Sequence, residues 1–212
     1  MKDMVLQALP SIIRGAEITL ELFSVVLVVS LPLGLGIAVL KINAPKWLEW
    51  MIQVYITIMR GTPLLLQLMF VFFGLPYMGI TLDRFPAAIL AFILNYAAYF
   101  AEIFRGGILG VPETQFEALK VLRINHVKGY YKVILPQVLK TTWPSIANEI
   151  LALVKDTSLI YILGLGEILR AGQIAANRYA SMLPFIFVGV IYLIITGILS
   201  TILNKIEKNY QF

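Results

Sequence analysis

The stretch QFEALKVLRINHVKGYYKVILPQ, residues 115–137, carries four Lys/Arg, a single Glu and the chain's one His, and ends in the apolar run Val133-Ile134-Leu135 before Pro136-Gln137. Long apolar segments flank it on both sides. From Glu113 to Leu122 the spacing predicts an amphipathic helix with one apolar face, Phe116, Leu119 and Leu122, opposite a charged one. Such a helix either lies on a lipid surface or packs its apolar face on a partner outside the membrane. Hydropathy alone does not choose between them.

The surroundings are those of a membrane protein. Of the 212 residues, 59% are hydrophobic and 14% charged, with a mean hydropathy of +0.85. Soluble domains are about 45–50% apolar and about 25% charged. A disordered chain is excluded, and a water-soluble fold would expose much of this apolar surface. The net charge of +5 is read as basic residues fixing topology. No basic patch is interleaved with stacking aromatics, so no nucleic-acid partner is expected. With no Cys there is no disulfide or thiolate chemistry. One His, His126, does not make a histidine metal site and reads as a solvated side chain. The N-terminal MKDMVLQALPSIIRGAEITL lacks a compact apolar core with a cleavage site and reads as mature protein.

A membrane-spanning helix needs about 20 mostly apolar residues. The first span is predicted over Gly15–Leu40. The region Trp47–Ile80 is too long for one span and is split by MRGTP. A span starts there, with Thr62 as cap and Pro63 in the first turn, after a lead-in helix from the membrane surface. Phe85–Ile108, Leu139–Val154 and Met182–Leu203 complete five spans. TSLIYILGLGEIL, after Asp156, is read as one outer re-entrant or surface helix. With residues 110–137 taken as cytoplasmic, Lys41, Lys46, Arg105, Lys120, Arg123, Lys128, Lys132, Lys140, Lys205 and Lys208 fall inside. Lys2, Arg14, Arg84, Lys155, Arg170 and Arg178 fall outside. Arg60 stays unassigned to either side and reads as an anchor or gate at the inner interface. The bias puts the N-terminus outside and the C-terminus in the cytoplasm.

Ionisable residues within spans face a bundle interior or an aqueous path. On the third span Asn95, Tyr99 and Glu102 share a stripe. On the fourth, Glu149 lies near the middle and Asp156 at the outer end. The two spans run in opposite directions, which brings Asn95 and Glu149 towards the midplane. The functional reading is a polar cavity lined by Asn95, Glu102, Glu149 and Asp156, whose carboxylates favour a cationic substrate. Structural readings stand beside it. Glu102 and Arg105 can pair at i,i+3, and Asp156 can cap the helix that follows. Glu149 has no obvious local partner. Glu17 and Glu21 suit the dipole of an outer helix N-terminus.

Other residues of the stretch, and blocks beyond it, carry a family resemblance. QFEALKVLR followed by VILPQ resembles the cytoplasmic "EAA" loop of binding-protein-dependent ABC importer permeases, which reads Glu-Ala-Ala-x3-Gly-x9-Ile-x-Leu-Pro. Glu117, Ala118, Leu135 and Pro136 match in register. Leu119 replaces the second Ala, Arg123 the Gly and Val133 the Ile. MRGTPLLLQLMF, NYAAYFAEIFRGGILGVPETQFEA and VKDTSLIYILGLGEI are similar to blocks of the polar amino acid permeases, the histidine, arginine and glutamine subfamily. The resemblance covers nearly the whole chain.

It implies an all-α membrane protein, a five-helix permease like those of type I ABC importers, forming one transmembrane domain over residues 1–212 with its coupling loop at 110–137. It implies that residues 113–127, with Phe116, Glu117, Ala118, Leu119, Leu122 and Arg123, form a coupling helix seated in a groove of a separate ATPase. The chain has no GxxxxGK[ST] phosphate loop. ATP and Mg2+ would bind on that ATPase, with no cofactor in this chain and no enzyme activity of its own. The other implied partners are a second permease subunit, a homodimer being favoured over a heterodimer, and an external solute-binding protein. The implied setting is the bacterial inner membrane. The substrate would be an amino acid, and the local carboxylates favour a basic one, with Glu149 as counter-ion to arginine, lysine or histidine. Backbone N–H groups near Gly61, Thr62 and Pro63 would meet its carboxylate. Glutamine or another polar amino acid is the alternative. A proton-coupled secondary transporter using Glu102 or Glu149 is a rival, weakened by the lack of paired repeats. No catalytic cluster supports an intramembrane enzyme, and a scaffold would leave the intramembrane carboxylates unexplained.

Overall fold

The computed structural model describes residues 2–210, with side chains described for 9–125 and 127–209. The readings of the Lys2 and His126 side chains lie outside the described residues. Among the described residues there are helices and turns and no strand.

The first helix, α1 (Lys2–Asn43), is much longer than the Gly15–Leu40 expected. Its apolar part, Leu9–Asn43, has 35 residues, about 52 Å at 1.5 Å per residue, against a hydrocarbon core of about 30 Å. One face of the excess packs on protein. Ile12 is buried with Ile168, Ala171, Ala175 and Val188. Glu17 and Glu21 therefore lie well inside a helix, both exposed, and not in its first turn. The dipole reading for them fails because the helix begins more than three turns earlier.

α2 (Lys46–Gly61) and α3 (Leu64–Met69) meet at a 105° bend. The chain runs on from α3 through a π-helical turn, Phe70–Gly74, and a 3-10 turn, Leu75–Met78. Together the two pieces are long and apolar enough for one broken span or a re-entrant loop, and α2 packs on the bundle with Ile52 and Ile56 buried against Ala98 and Ala101. Thr62 does not cap α3. Its hydroxyl donates back to Ile58 O at 2.8 Å, and α3 starts after Pro63 with no side-chain cap. The backbone at Thr62 is extended, which turns the hydroxyl to the helix it leaves.

α4 (Arg84–Leu109) is the centre of the bundle and matches the span expected at Phe85–Ile108. Its buried residues include Ala87, Ala88, Ala91, Ala97, Ala98 and Ala101. Small residues let helix backbones approach where no hydrophobic effect drives them together. On the partner helices, glycines do the same. A Cβ on Gly34 of α1 would stand 2.5 Å from Phe100 Cβ and 3.0 Å from Ala101 N, whereas one on Gly36 meets nothing within 4 Å.

After α4 come α5 (Glu113–Val121) and the short α6 (His126–Gly129), which leads through a second π-helical turn, Tyr130–Ile134, into α7 (Leu135–Asp156). TSLIYILGLGEIL is not one helix. A 3-10 segment spans Thr157–Leu163, Gly164 takes φ +75°, and α8 (Ile168–Tyr179) begins only after Glu167. Buried Glu167 caps α8, accepting from Leu169 N and Arg170 N, each at 2.6 Å. α9 (Leu183–Tyr210) is the last span. Its exposed stripe of Ile186, Val190, Ile194, Ile198 and Ile202 suits lipid. Three helices are long and apolar enough to cross a membrane, or up to five spans if each of two bent pairs is one.

The packing at Gly34 gives a test. Gly34→Ala is expected to cost about 1–3 kcal/mol by overpacking, and Gly36→Ala nothing comparable. Thermal midpoints of the two variants in detergent measure this, and equal shifts would refute the close approach.

Candidate functional site

The bend between α2 and α3 frees backbone carbonyls inside the membrane, and side chains take them up. Asn95 of α4, 4% exposed, donates to Met59 O at 2.9 Å and to Gln67 Oε1 at 3.0 Å. Gln67 Nε2 donates to Met59 O at 2.9 Å, to Thr62 Oγ1 at 2.7 Å and to Thr62 O at 3.2 Å. The Asn95 amide and Thr62 hydroxyl are thus engaged in holding the bend. Gly61 is exposed there, with open space where a side chain would be. Gln67 was not singled out from the sequence. A lone Gln in LLLQLM four residues after Pro63 was the signal available.

About two turns further along α4, Glu102 meets three cations. Arg105 makes a bidentate contact, Nε to Oε1 at 2.9 Å and Nη2 to Oε2 at 2.8 Å. Lys41 of α1 donates to Glu102 Oε1 at 2.8 Å and to Gln53 Oε1 of α2 at 2.6 Å. Arg60 Nη1 lies 3.8 Å from Oε2. Of the two readings open for Glu102, pairing with Arg105 is the one its carboxylate makes. Lys41, read from the sequence only as a basic residue on the inner side, is 7% exposed. The contact joins residues 61 apart, and no local pattern announces it.

Arg60 is the residue the sequence reading undervalued. Its guanidinium sits 5.3 Å over the Tyr99 ring, and its charge acts on Glu149. Asp156 also acts on Glu149, and the Tyr96 hydroxyl donates to Asp156 Oδ2 at 2.7 Å. Asp156 does not cap the following 3-10 segment, because its carboxylate is turned to Tyr96 instead. Glu149, half-buried, makes no hydrogen bond or ion pair among the described residues. The structure thus gathers Glu149, Asp156, Tyr99 and Arg60 into one electrostatic neighbourhood. Asn95 and Glu102 lie on the same helix as Tyr99 but are bonded elsewhere. Two cavities, of about 630 and 340 Å3, open near the C-terminal end of α4, and neither is lined by Asn95, Glu149 or Asp156. Beside Glu149, α7 exposes Thr141, Ser145 and Asn148 along one stripe. A polar stripe on a membrane helix faces protein or water, not lipid.

At the other end of the loop, α5 lies with Phe116 and Leu119 turned in. The Phe116 ring is 6.1 Å from that of Tyr130, and Leu119 fits over Gly129, where a Cβ would come within 2.9 Å. Glu117 and Ala118 are exposed. Of the apolar face expected to meet lipid or a partner, Phe116 and Leu119 pack on this chain and Leu122 does not share that face. It ends the helix and is exposed, as is Val121 at 81%. Arg123 takes φ +51°, donating to Lys120 O while Ile124 N donates to Leu119 O, each at 3.0 Å. This is a Schellman ending, whose left-handed position favours glycine. The Gly of the family motif falls here, and Arg123 keeps the same geometry in its place.

Residues 30–210 match the family model described as the binding-protein-dependent transport system inner membrane component, and the chain belongs to that family. It is 38% identical over 205 residues to the arginine transport system permease protein ArtQ of Bacillus subtilis (strain 168), covering 96% of this chain and 94% of that one. It is 35% identical over 209 residues to the L-cystine transport system permease protein TcyB of the same organism, covering 97% and 89%. Among solved structures, a crystal structure of an amino acid ABC transporter with histidines superimposes with a TM-score of 0.87 at 31% identity, covering 97% of this chain and 96% of that one. The chain is an integral inner-membrane protein, a permease subunit of the amino acid ABC importers. In general, permeases of this family work with an ATPase, a binding protein and another permease.

Arg123 gives a second test. A left-handed backbone costs an L-residue roughly 1–2 kcal/mol, partly offset for glycine by its freer unfolded chain. Arg123→Gly is expected to stabilise the loop by about 0.5–1 kcal/mol, read as slower proteolysis after α5. Faster cleavage would refute the strain.

Proposed function

We propose that this chain is the permease of an ATP-driven importer for amino acids, with basic ones favoured, and that residues 1–212 act as one membrane domain coupled to its ATPase through α5. The observation that carries the coupling is the outward face of α5. Phe116 and Leu119 tie the helix to Tyr130 and Gly129, which leaves Glu117, Ala118 and Leu122 projecting at the end of the bundle. Apolar Val121 and Leu122 so exposed beside charge suit a protein groove. ATP and Mg2+ bind on the partner ATPase in this reading. The N-terminus lies outside and the C-terminus inside. Exposed Trp47 and Trp50 beside Lys46 support an interface at that depth.

A second permease subunit, favoured as another copy of this chain, covers the Thr141, Ser145 and Asn148 stripe. The passage runs between the two, with Glu149, Asp156 and Tyr99 on its wall and an external binding protein delivering substrate. Glu149 is the counter-ion to the side chain of arginine, lysine or histidine, because a half-buried carboxylate without a bonded partner gains most from a cation. The backbone contact expected for the substrate's carboxylate finds no free donor at these residues, since Thr62 N donates to Ile58 O at 3.1 Å, Gly61 lies in the last turn of α2 and Pro63 has no N–H. The Thr62 hydroxyl is already bonded, and Asn95 and Glu102 shape the passage from behind. Glutamine or another polar amino acid is the second reading. It is favoured by Arg60, whose charge acts on Glu149 and leaves the site less negative.

Two measurements in proteoliposomes with the ATPase test these halves. Glu117→Lys is expected to lower substrate-stimulated ATP hydrolysis by about tenfold or more, since like charge at a docking surface costs several kcal/mol. Full stimulation would refute coupling through α5. Glu149→Gln is expected to weaken arginine binding about ten- to a hundredfold, the loss of a charge-assisted bond, and to leave glutamine binding unchanged. Arginine binding indifferent to Glu149→Gln would discard the basic substrate and keep the importer.

A further inference from the structure

The larger cavity lies away from the passage and belongs to nothing described so far. Its volume is about 630 Å3 and its walls are almost wholly apolar. One wall is the inner end of α1, from Pro32 through Leu35 and Val39 to Asn43. The other is the segment from Val127 through Tyr131 to Val138, which joins the coupling loop to α7. Gly36 lies on the floor, with nothing within 4 Å of where its Cβ would be.

Depth and charge say what fits. Asn43 is followed within a turn or two by Lys46, Trp47 and Trp50, the two tryptophans exposed as in an interfacial belt. The groove thus starts at the membrane surface and climbs α1 for the eleven residues back to Pro32, about 16 Å at 1.5 Å per residue. That is the hydrocarbon depth of one leaflet, half of about 30 Å. Lys128 and Lys132 each follow a lining residue, Val127 and Tyr131. Both lysines are exposed; Lys128 donates its backbone N–H to Asn125 Oδ1 at 3.5 Å, and neither ammonium group has a hydrogen bond or ion pair among the described residues.

We propose that this groove binds one anionic phospholipid of the inner leaflet, with an acyl chain between α1 and the Val127–Val138 wall and its headgroup phosphate against Lys128 and Lys132. An empty apolar groove beside lipid forfeits dispersion contacts that an acyl chain restores. The paired ammonium groups add the preference for an anionic headgroup. Tyr130, a lining residue, also carries the Phe116 contact of α5, so the lipid touches the wall on which the coupling helix rests. The inference uses the inward orientation of the loop but neither the substrate nor the ATPase docking proposed above.

The test uses the purified transporter complex in nanodiscs containing a phosphatidylglycerol with a photoreactive acyl chain. Crosslinks mapped by peptide mass spectrometry are expected on residues 32–43 and 127–138 above the level on exposed α9. Unlabelled phosphatidylglycerol should displace them about tenfold better than phosphatidylcholine. Lys128→Gln with Lys132→Gln should erase that headgroup preference, and Gly36→Phe should remove the crosslinks themselves. Both variants are checked for unchanged elution of the assembled complex. Crosslinks no denser than on α9, a headgroup preference untouched by the lysine changes, or a groove covered by the second permease or the ATPase would each overturn the proposal. Arginine uptake read in parallel separates this outcome from failure of the importer reading, since lipid capture requires no transport.

Discussion

A helix that breaks inside a membrane must find partners for the carbonyls it frees, because lipid supplies none. The turn from α2 to α3 obeys that rule with three side chains. Gln67 and Asn95 share Met59 O, Gln67 also serves Thr62 O, and the Thr62 hydroxyl closes Ile58 O. Asn95 belongs to α4, so the same bonds that satisfy the break fasten it to the centre of the bundle. α4 can accept it because alanines keep the helix slim on the sides where α1 and α2 cross it. The polar knot and the small-residue surface are thus one design, since neither closes the bend without the other.

Charge is arranged on the same helix with a different purpose. Glu102 draws Lys41 from α1 and Arg105 from α4, and Gln53 of α2 takes another Lys41 proton. A buried ion cluster is a poor source of stability but a strong fixer of register, because each ion left unpaired is expensive. Three helices are therefore indexed to each other at one level. Arg60 stands at the edge of this group, 43% exposed, stacked on Tyr99 and within reach of both Glu102 and Glu149 by its field. It is the cation that links the fixed cluster to the less committed carboxylates above.

Much of this was legible in the sequence, and the misses share a cause. α4, α7 and α9 follow from apolar length and flanking charge, which are local properties. The motif glycine replaced by Arg123 could be located by spacing, although its left-handed backbone could not. What escaped was decided by distant partners. Lys41 counted only as a topology charge, and its partners Gln53 and Glu102 lie on other helices. Asp156 had the place of a cap, but Tyr96 competes for it from another helix. Thr62 reads as an N-cap beside Pro63, yet its extended backbone turns the hydroxyl the other way. α1 begins well before the expected span, and one face of its early part, at Ile12 and Gly15, is set against α8, a contact no local pattern announces. Leu122 fell on the apolar stripe of an ideal helix, but the helix ends there.

The π-helical turn Tyr130–Ile134 joins the coupling loop to α7 without interrupting the helical path. Such a turn holds one residue more than an α-turn closes around. Rewinding it to α geometry would feed that residue along the axis, about 1.5 Å of travel with about 100° of rotation. The joint is therefore a screw thread. Were the proposed coupling to push at Phe116 and Tyr130, this single turn would convert the push into twist of the helix that bears Thr141, Ser145 and Glu149.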